Sequence, residues 1–527
     1  SLSPWTAGES AQAARAASKL KVSPLDEHNA TLLNEVAPND WSNPTPHDEY
    51  DLVAIGAGAG GLISSKQSAR RGAKSALVEK HLAGGDCLNV GCVPSKALIR
   101  SARAVKEVRN ASKFGVHVSG NIDVRFGEVM ARMRRLRAAI APADSYTGTA
   151  AAGAHMFGGA ATFTSPNTLR ITPTAEPSTP FEIKFKKAVI ATGGSPIAPP
   201  LYSDVPYLTN ETLYNLTALP PRMVVVGGGP IGLEMAQCFA IFGSRVSVLV
   251  RGPKLLSKED ADAAQLVADA LAADGLEIVL GTTVKRAYLT GETTSTADGG
   301  AFPEIALDCV GKDGAERTVR CEALLLAAGR KPNVTGLGLE AAGVEYDEKQ
   351  GVKIDDLLRT TNPNIFAVGD VAHPFQFTHM SGEMAKMVVQ NALFADEWRL
   401  SKLVVPWCTY TMPEVAHVGD YEHSLDARGV QYDTYRATLE HNDRAILDSE
   451  NEGFVKITCA KGTDKILGGT IVAAHAGDLI HELTLAIQTG VGIGELARVI
   501  HPYPTVGEST MGAALGYIRA TWQKLDE

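Results

Sequence analysis

The feature that most constrains the fold is a glycine-rich turn between a buried strand and a helix, which the chain contains twice. In the first copy the apolar run Tyr50–Ile55 predicts a buried strand and Leu62–Arg71 predicts a helix. Between them lies the turn Gly56–Gly61, with the G-x-G-x-x-G order, and Ser75–Glu79 predicts the next strand. This order is typical of the α/β unit that binds a dinucleotide.

The residues of the first turn, and Glu79 after it, each suit a physical requirement of dinucleotide binding. Gly56 allows the sharp turn, Gly58 lets a pyrophosphate approach the backbone, and Gly61 lets the helix pack closely on the strand. The pyrophosphate is expected at the helix N-terminus, where free N–H groups and the helix dipole favour negative charge. Glu79, at the end of the next strand, is expected to accept hydrogen bonds from a ribose diol.

The second copy reads Met223–Val226 as a strand, Gly227, Gly229 and Gly232 as the turn glycines, Leu233–Phe242 as a helix and Arg245–Val250 as a strand. Val250 occupies the position equivalent to Glu79, and Arg251 follows it. A carboxylate there would suit the free 2′-hydroxyl of NADH, whereas an arginine can bind the 2′-phosphate of NADPH with two donors. We therefore predict NADPH over NADH; the alternative is a solvated arginine after a strand.

The stretch Gly84–Lys96 carries a second signal. Four residues separate Cys87 from Cys92, and Gly91 relieves the backbone beside the second cysteine. One turn can then bring the two Cα atoms within the roughly 4.4–6.8 Å that a disulfide requires.

With these motifs the chain resembles the pyridine nucleotide–disulfide oxidoreductases, which include dihydrolipoyl dehydrogenase, glutathione reductase and mercuric reductase. The likeness extends from about residue 50 to about residue 520. Its further matches are Ala191–Gly194, Gly329–Asn333 and Ile365–Asp370.

The resemblance implies a fold and a site. The fold is α/β, with two Rossmann-like dinucleotide-binding domains, for FAD and NAD(P), and an α+β C-terminal dimerisation domain. The implied N-terminal extension is residues 1–47. The FAD-binding domain has two parts, residues 48–195 and 331–403, and the NAD(P)-binding domain, residues 196–330, lies between them. The dimerisation domain is residues 404–527. FAD is then expected to be bound by the first glycine turn together with Glu79, Lys96, Thr192, Gly193 and Asp370. NADPH is expected to be bound by the second glycine turn together with Glu234, Arg251 and Gly329.

The resemblance also implies a relay of electrons. Hydride passes from the nicotinamide to the flavin, and the flavin reduces the Cys87–Cys92 disulfide. Cys92 then lies against the flavin as a thiolate, while Cys87 exchanges with a small-molecule electron acceptor. Lys96 and Glu234 are expected to pair near the flavin.

The chain departs from dihydrolipoyl dehydrogenase and glutathione reductase at the position before Pro504-Thr505. Those relatives carry a catalytic histidine there, supported by a glutamate; this chain has Tyr503 and keeps Glu508. A phenol titrates near 10 and an imidazole near 6.5, so Tyr503 is a poor base for a thiol. His501 could substitute, although it lies about 6.6 Å away along an extended segment, and the alternative is a structural histidine.

Mercuric reductases also carry a tyrosine here, but they end in a vicinal Cys-Cys pair, and this chain has no cysteine after Cys459. The leading hypothesis is thus a mercuric reductase-like NADPH-dependent flavoprotein acting on an unidentified disulfide, metal or quinone. The alternatives are dihydrolipoyl dehydrogenase, against which Tyr503 and Arg251 argue, and a non-catalytic structural subunit. The resemblance implies a homodimer in which Tyr503 and Glu508 of one subunit reach the cysteine pair of the other.

Composition excludes some further classes of protein and indicates a compartment. A net charge of −9 argues against a nucleic-acid binder, and the longest apolar runs are too short to span a bilayer. Seven cysteines with a single close pair fit a soluble protein of a reducing compartment and no metal cluster. Ser1–Val22 is rich in Ala, Ser, Lys and Arg, as in the remainder of a plastid or mitochondrial transit peptide. It could equally be a capping helix over Ala11–Leu20 of a cytoplasmic protein, and residues 23–48 are predicted to be a polar surface lead-in.

Overall fold

The computed structural model describes residues 22–174, 179–394 and 397–522. Within these ranges the α-helices, numbered α1 to α15, are Glu27–Val36, Ala59–Arg70, Gly85–Val90, Cys92–Asn110, Phe126–Ile140, Tyr146–Ala151, Asn210–Leu213, Pro230–Phe242, Ala261–Ala273, Thr378–Leu393, Glu422–Ala427, Asp443–Leu447, Ala476–Thr489, Ile493–Leu496 and Glu508–Thr521. The strands, numbered β1 to β22, are Tyr50–Ile55, Ser75–Glu79, His155–Ser165, Thr168–Pro173, Phe181–Ile190, Gly194–Pro196, Arg222–Val226, Arg245–Leu249, Glu277–Val279, Thr282–Ser295, Ala301–Gly311, Glu316–Cys321, Ala323–Leu326, Arg330–Pro332, Tyr346–Asp347, Gly351–Val352, Ile365–Ala367, Pro406–Thr409, Glu414–Gly419, Tyr432–Thr438, Phe454–Ala460 and Ile466–Ala473.

The first domain is built on five parallel strands in the order β3–β2–β1–β5–β17. Leu52 of β1 is aligned with Ser75 of β2 on one side and with Lys187 of β5 on the other. The central strands β1 and β2 are almost entirely buried, as expected for a parallel sheet covered on both faces. The long strands β3 and β5 continue beyond this sheet and pair with β4 in an antiparallel layer.

This topology determines where a ligand can bind. Gly56 follows β1, Glu79 ends β2, Thr192 follows β5 and Asp370 follows β17. Since the strands are parallel, all four positions lie at the carboxyl edge of one sheet, which is where open α/β sheets bind their ligands.

The second dinucleotide-binding unit repeats the arrangement with β13–β7–β8–β9, again all parallel. The antiparallel strands β10, β11 and β12 form a separate sheet of the same domain. The C-terminal domain is a five-stranded antiparallel sheet, in the order β18–β19–β22–β21–β20, against which α13 and α15 pack. The predicted α/β fold with two dinucleotide-binding domains and a C-terminal α+β domain is confirmed.

The predicted element boundaries are accurate to a few residues. Helix α2 begins at Ala59 and helix α8 at Pro230, each about one turn earlier than predicted, because the last glycines of both turns already have helical geometry. Pro230 suits the first helical position, where its missing N–H leaves no bond unmade. Among the described residues, no helix is both long and apolar enough to cross a membrane.

The prediction that residues 23–48 are a surface lead-in is wrong in part, because they contain α1. The side chain of Asp26 caps this helix by accepting from the N–H of Asn29 at 2.9 Å. Leu32 and Val36 are fully buried against the first domain. The sequence hid this helix because only a few apolar residues lie among polar ones. The expected transit peptide or capping helix over Ala11–Leu20 lies outside the described residues.

Candidate active site

A cavity of about 1590 Å³ lies where the first domain, the second dinucleotide-binding unit and the C-terminal domain meet. Its wall includes both predicted cysteines, and it also includes residues of both glycine turns. The residues of predicted sites that line it are Gly56, Gly58, Glu79, Cys87, Cys92, Lys96, Thr192, Gly193, Gly229, Glu234 and Asp370. Gly61, Gly227, Gly232, Arg251 and Gly329 lie behind or outside this wall.

The first glycine turn has room for no side chain at two positions. Gly56 has a φ of +98°, and a Cβ there would lie 2.5 Å from the Ala191 carbonyl oxygen. A Cβ on Gly61 would lie 1.8 Å from the Gly56 oxygen. Gly58, which precedes α2, provides no side-chain cap, so the first N–H groups of α2 stay available to an anion in the cavity.

The Glu79 carboxylate lies beside this turn. One of its oxygens accepts from the Ala57 N–H at 2.6 Å and the other accepts from the His81 N–H at 2.7 Å. The side chain is 8% exposed, and burial raises its pKa above the usual value. Backbone donors therefore fix the carboxylate at the cavity wall.

The second turn has the same steric pattern. Gly227 has a φ of +125°, and a Cβ there would lie 2.3 Å from the Ala327 oxygen, whereas a Cβ on Gly229 would meet nothing within 4 Å. Gly229 therefore leaves open space at the start of α8. Arg251 is exposed just beyond β8.

The two cysteines lie on successive helices. Cys87 lies in α3, and Cys92 is the first residue of α4. A Cβ on Gly91 would lie 2.8 Å from the Asp86 oxygen, so the kink between the helices requires glycine. Both cysteines are free thiols, and the pKa of each is shifted mainly by the side chain of the other.

The environment makes the two thiols unequal. The hydrogen bond from Cys87 is the main cause that lowers the pKa of Cys92 to about 6; Thr378 and the charge of Lys96 act in the same direction. The Thr378 hydroxyl lies 3.2 Å from the Cys92 sulfur. The same hydrogen bond, together with burial, raises the pKa of Cys87. Helix N-termini also favour a thiolate, and Cys92 begins a 19-residue helix.

Lys96 and Glu234 form an ion pair between α4 and α8. The Lys96 Nζ lies 2.9 Å from Glu234 Oε2, and the Glu234 side chain is 5% exposed. The other Glu234 oxygen accepts from the Tyr410 N–H at 3.0 Å, and the Lys96 Nζ lies 4.1 Å above the centre of the Tyr410 ring. These contacts fix a positive charge near Cys92.

Arg330 is a site residue to which the sequence assigned no role. Its guanidinium contacts the carboxylate of Asp86, donates to the Gly194 oxygen at 2.7 Å and lies 3.3 Å from Asp370 Oδ2. Burial raises the pKa of Asp370, and the charge of Arg330 opposes that shift. Arg330 thus links the residue before Cys87 to the end of β17.

Thr192 is held by the neighbouring segment. Its hydroxyl donates to the Asn333 oxygen at 2.8 Å, and the Asn333 side-chain amide donates back to the Thr192 oxygen at 2.9 Å. The matched motifs Ala191–Gly194 and Gly329–Asn333 therefore bind each other.

Tyr503, Glu508 and His501 do not meet the cysteines within one chain. Tyr503 is 71% exposed, and its hydroxyl donates to Asp443 Oδ2 at 2.8 Å, a bond that raises the pKa of Tyr503. Glu508 Oε2 accepts from the Thr505 N–H at 3.1 Å.

His501 is held on both sides of its ring. One ring nitrogen lies 3.0 Å from Glu482 Oε1 and the other 2.9 Å from the Val499 oxygen. This environment favours a structural histidine over a replacement base. In the part of the chain that the structure describes, no three His, Cys, Asp or Glu side chains are placed to hold a metal ion.

Residues 50–393 match the family model of the pyridine nucleotide-disulphide oxidoreductases, and residues 405–514 match the dimerisation domain of that family. A mercuric reductase of Streptomyces lividans is 34% identical over 472 residues, which cover 89% of this chain and 96% of that protein. A dihydrolipoyl dehydrogenase of Staphylococcus aureus is 32% identical over 478 residues, or 89% of this chain and 97% of that protein. The solved structure of the HOCl-induced flavoprotein disulfide reductase RclA from Escherichia coli is similar with a TM-score of 0.76 and 25% identity, covering 88% of this chain and 99% of that one.

The role of Thr378 can be tested through the pH dependence of the thiolate. We expect Thr378→Val to raise the pKa of Cys92, because a hydroxyl that stabilises the thiolate is removed. In the unmodified protein, alkylation of Cys92 should remain fast down to about pH 6 and fall below it; in the variant that fall should begin at a higher pH. Thr378→Ser, which keeps the hydroxyl, is the control, and identical pH profiles for Thr378→Val and the unmodified protein would contradict the assignment.

Proposed function

Because the chain belongs to the pyridine nucleotide-disulphide oxidoreductases, we propose that it passes electrons from NADPH through FAD to the Cys87–Cys92 pair and on to a small-molecule acceptor. The observation that carries this proposal is the placement of Cys87 and Cys92 on successive helices, in the wall of a cavity that residues of both glycine turns also line. The surroundings lower the pKa of Cys92 and raise the pKa of Cys87. This inequality supports an exchanging pair of thiols over a structural subunit.

The residues at the carboxyl edge of the first sheet fit FAD. Gly56 and Gly61 permit the tight turn, since a Cβ at either position would clash with the backbone. The uncapped start of α2 offers N–H groups to a pyrophosphate, and Glu79 presents a fixed carboxylate to a ribose. Thr192, Gly193 and Asp370 would hold the middle of the cofactor. When bound, FAD would accept a hydride from the nicotinamide and pass the two electrons to the disulfide.

The chain's own residues then control charge and protons. Lys96 and Glu234 hold each other in place, so the Lys96 charge is directed at the site where electrons arrive. When the disulfide is opened by two electrons, Cys92 keeps the negative charge and Cys87 takes a proton, in agreement with the direction of both pKa shifts. Cys87 then gives up its proton, to the acceptor or to solvent, and attacks the acceptor as a thiolate. When Cys92 closes the disulfide again, the two electrons leave with the reduced acceptor.

The acceptor is not assigned to one compound, but the position of Tyr503 restricts it. We propose a homodimer, since residues 405–514 match the dimerisation domain, in which the exposed Tyr503 reaches the partner's cysteine pair. The Asp443 carboxylate raises the pKa of Tyr503, which lowers further the fraction of phenolate that could act as a base. An oxidised acceptor without a proton to remove, such as a soft metal ion or a quinone, therefore fits better than a dithiol electron donor such as dihydrolipoamide, whose thiol must lose a proton.

Dihydrolipoyl dehydrogenase activity is a second candidate, favoured by the relatives of that name. It would run towards NAD⁺ and would need a base for the substrate thiol. Val250 in place of an acidic residue, with Arg251 next to it, and Tyr503 in place of a histidine both disfavour it.

Replacing Cys87 by serine should separate the two halves of the relay. We expect Cys87→Ser to abolish reduction of every acceptor while NADPH still bleaches the flavin, because only the exchanging thiol is lost. Stopped-flow absorbance and steady-state turnover measure the two steps. Cys459→Ala, at a cysteine buried in the C-terminal domain, should change neither, and loss of flavin reduction in Cys87→Ser would refute this division of roles.

The preference for NADPH should depend on Arg251. A charge pair at contact is worth on the order of 4 kcal/mol before desolvation at an effective dielectric near 20, so even part of it gives a preference of about tenfold or more. We expect Arg251→Ala to lower kcat/KM for NADPH by at least about that factor and to leave NADH unchanged. Arg245→Ala, exposed at the opposite end of β8, is the matched control. Equal or faster turnover of NADH by the unmodified protein would contradict the assignment.

A further inference from the structure

The segment before residue 50 lies outside the matched family model, yet it contacts the loop that leads into α3, the helix that carries Cys87. The Val36 oxygen accepts from the Ala83 N–H at 2.9 Å. Leu32 and Val36 belong to one buried cluster with Leu88, which lies between the two cysteines. The segment is thus packed against the redox helix α3.

A buried arginine joins the two. The Arg137 side chain, on α5, is 2% exposed. Its Nη1 donates to the Asn89 oxygen in α3 at 2.6 Å, and its Nη2 donates to Asn29 Oδ1 in α1 at 2.7 Å. Asn29 is fully buried and donates in turn to the Pro24 oxygen at 2.7 Å. A continuous hydrogen-bond chain therefore runs from α1 to the helix between the cysteines.

The Arg137 contact meets a need of α3. This helix has six residues, and the last carbonyls of any helix lack partners within it. Asn89 supplies one of these carbonyls, and a positive group at a helix C-terminus is favourable. The Asn89 side chain also donates to the Ala83 and Gly85 oxygens, both at 2.9 Å. Asn89 therefore connects the end of α3 to Arg137 through its carbonyl, and to the start of α3 through its side chain.

Burying the charged guanidinium of Arg137 is unfavourable in free energy. Burial lowers its pKa to about 10, and its Nε has no hydrogen-bond partner among the described residues. A neighbouring ion pair, between Arg134 of α5 and Asp26 at the start of α1, has a distance of 2.6 Å and also connects these two helices. A buried charge that is incompletely satisfied is weak evidence for stability and is more often found where a site must be held in one geometry.

We propose that Arg137 and Asn29 are positioning residues of the redox pair, and that the N-terminal segment is thereby part of the active site. This inference rests on the proposed function. The interaction between the two sulfurs in the reduced pair depends on where α3 places Cys87 relative to the start of α4. Loosening α3 weakens the hydrogen bond from Cys87 to the Cys92 thiolate and so destabilises the reduced pair.

The test compares Asn29→Ala and Arg137→Gln with two exposed positions on the same helices, Asn34→Ala and Arg135→Gln. Each flavin-loaded protein is equilibrated with a reference dithiol at a pH above the titration of Cys92, and the thiolate is titrated separately. We expect the first two variants to titrate at higher pH. We also expect their equilibrium constant for reduction to fall about tenfold, which corresponds to a potential about 30 mV lower. The two exposed variants should match the unmodified protein.

The outcomes separate two failures. If Asn29→Ala and Arg137→Gln lose thermal stability but keep the titration and the equilibrium constant, the two residues are merely structural and the inference is wrong. If the unmodified protein shows no reversible dithiol at all, the proposed function itself fails. Should Arg137→Gln not fold, Asn29→Ala still decides the matter, because it leaves the bond from Arg137 to Asn89 in place.

Discussion

The interaction between the Cys87 and Cys92 side chains is the one on which the rest of the site depends. It is the main cause of the low pKa of one thiol and the high pKa of the other. A thiolate is the reactive form in exchange, and a protonated neighbour stops both sulfurs from carrying charge together. The Gly91 kink, the start of α4, Thr378 and Lys96 all act on this one contact.

The fold brings that contact to the cofactors. Parallel strands deliver the first glycine turn, Glu79 and Asp370 to one sheet edge, while α4 carries Cys92 at its start and Lys96 one turn later. Since Lys96 is bonded to Glu234 of α8, the helix that begins at the sulfur also reaches the second dinucleotide turn. Residues of the two glycine turns and the sulfur pair are thus arranged around one cavity.

Much of this could be predicted from the sequence, because it depends on short spacings. The glycine turns, the paired cysteines and Glu79 each lie within a few residues of the strand or helix that positions them. Thr378 could not be found in this way, since its contact with Cys92 spans 286 residues. Arg137 lies in a helix with three other arginines, so its sequence context does not distinguish it from them. Helix α1 has too few apolar residues to predict a buried helix. Contacts of this kind arise only when distant elements pack.

Anaerobic titration of the flavin-loaded protein with NADPH, followed by denaturation and a count of free thiols, tests whether electrons reach the sulfur atoms. We expect two additional thiols per flavin once the titration is complete, both assigned to the peptide that contains Cys87 and Cys92. If the flavin is fully reduced and the number of thiols does not change, electrons stop at the flavin and the proposed route is wrong.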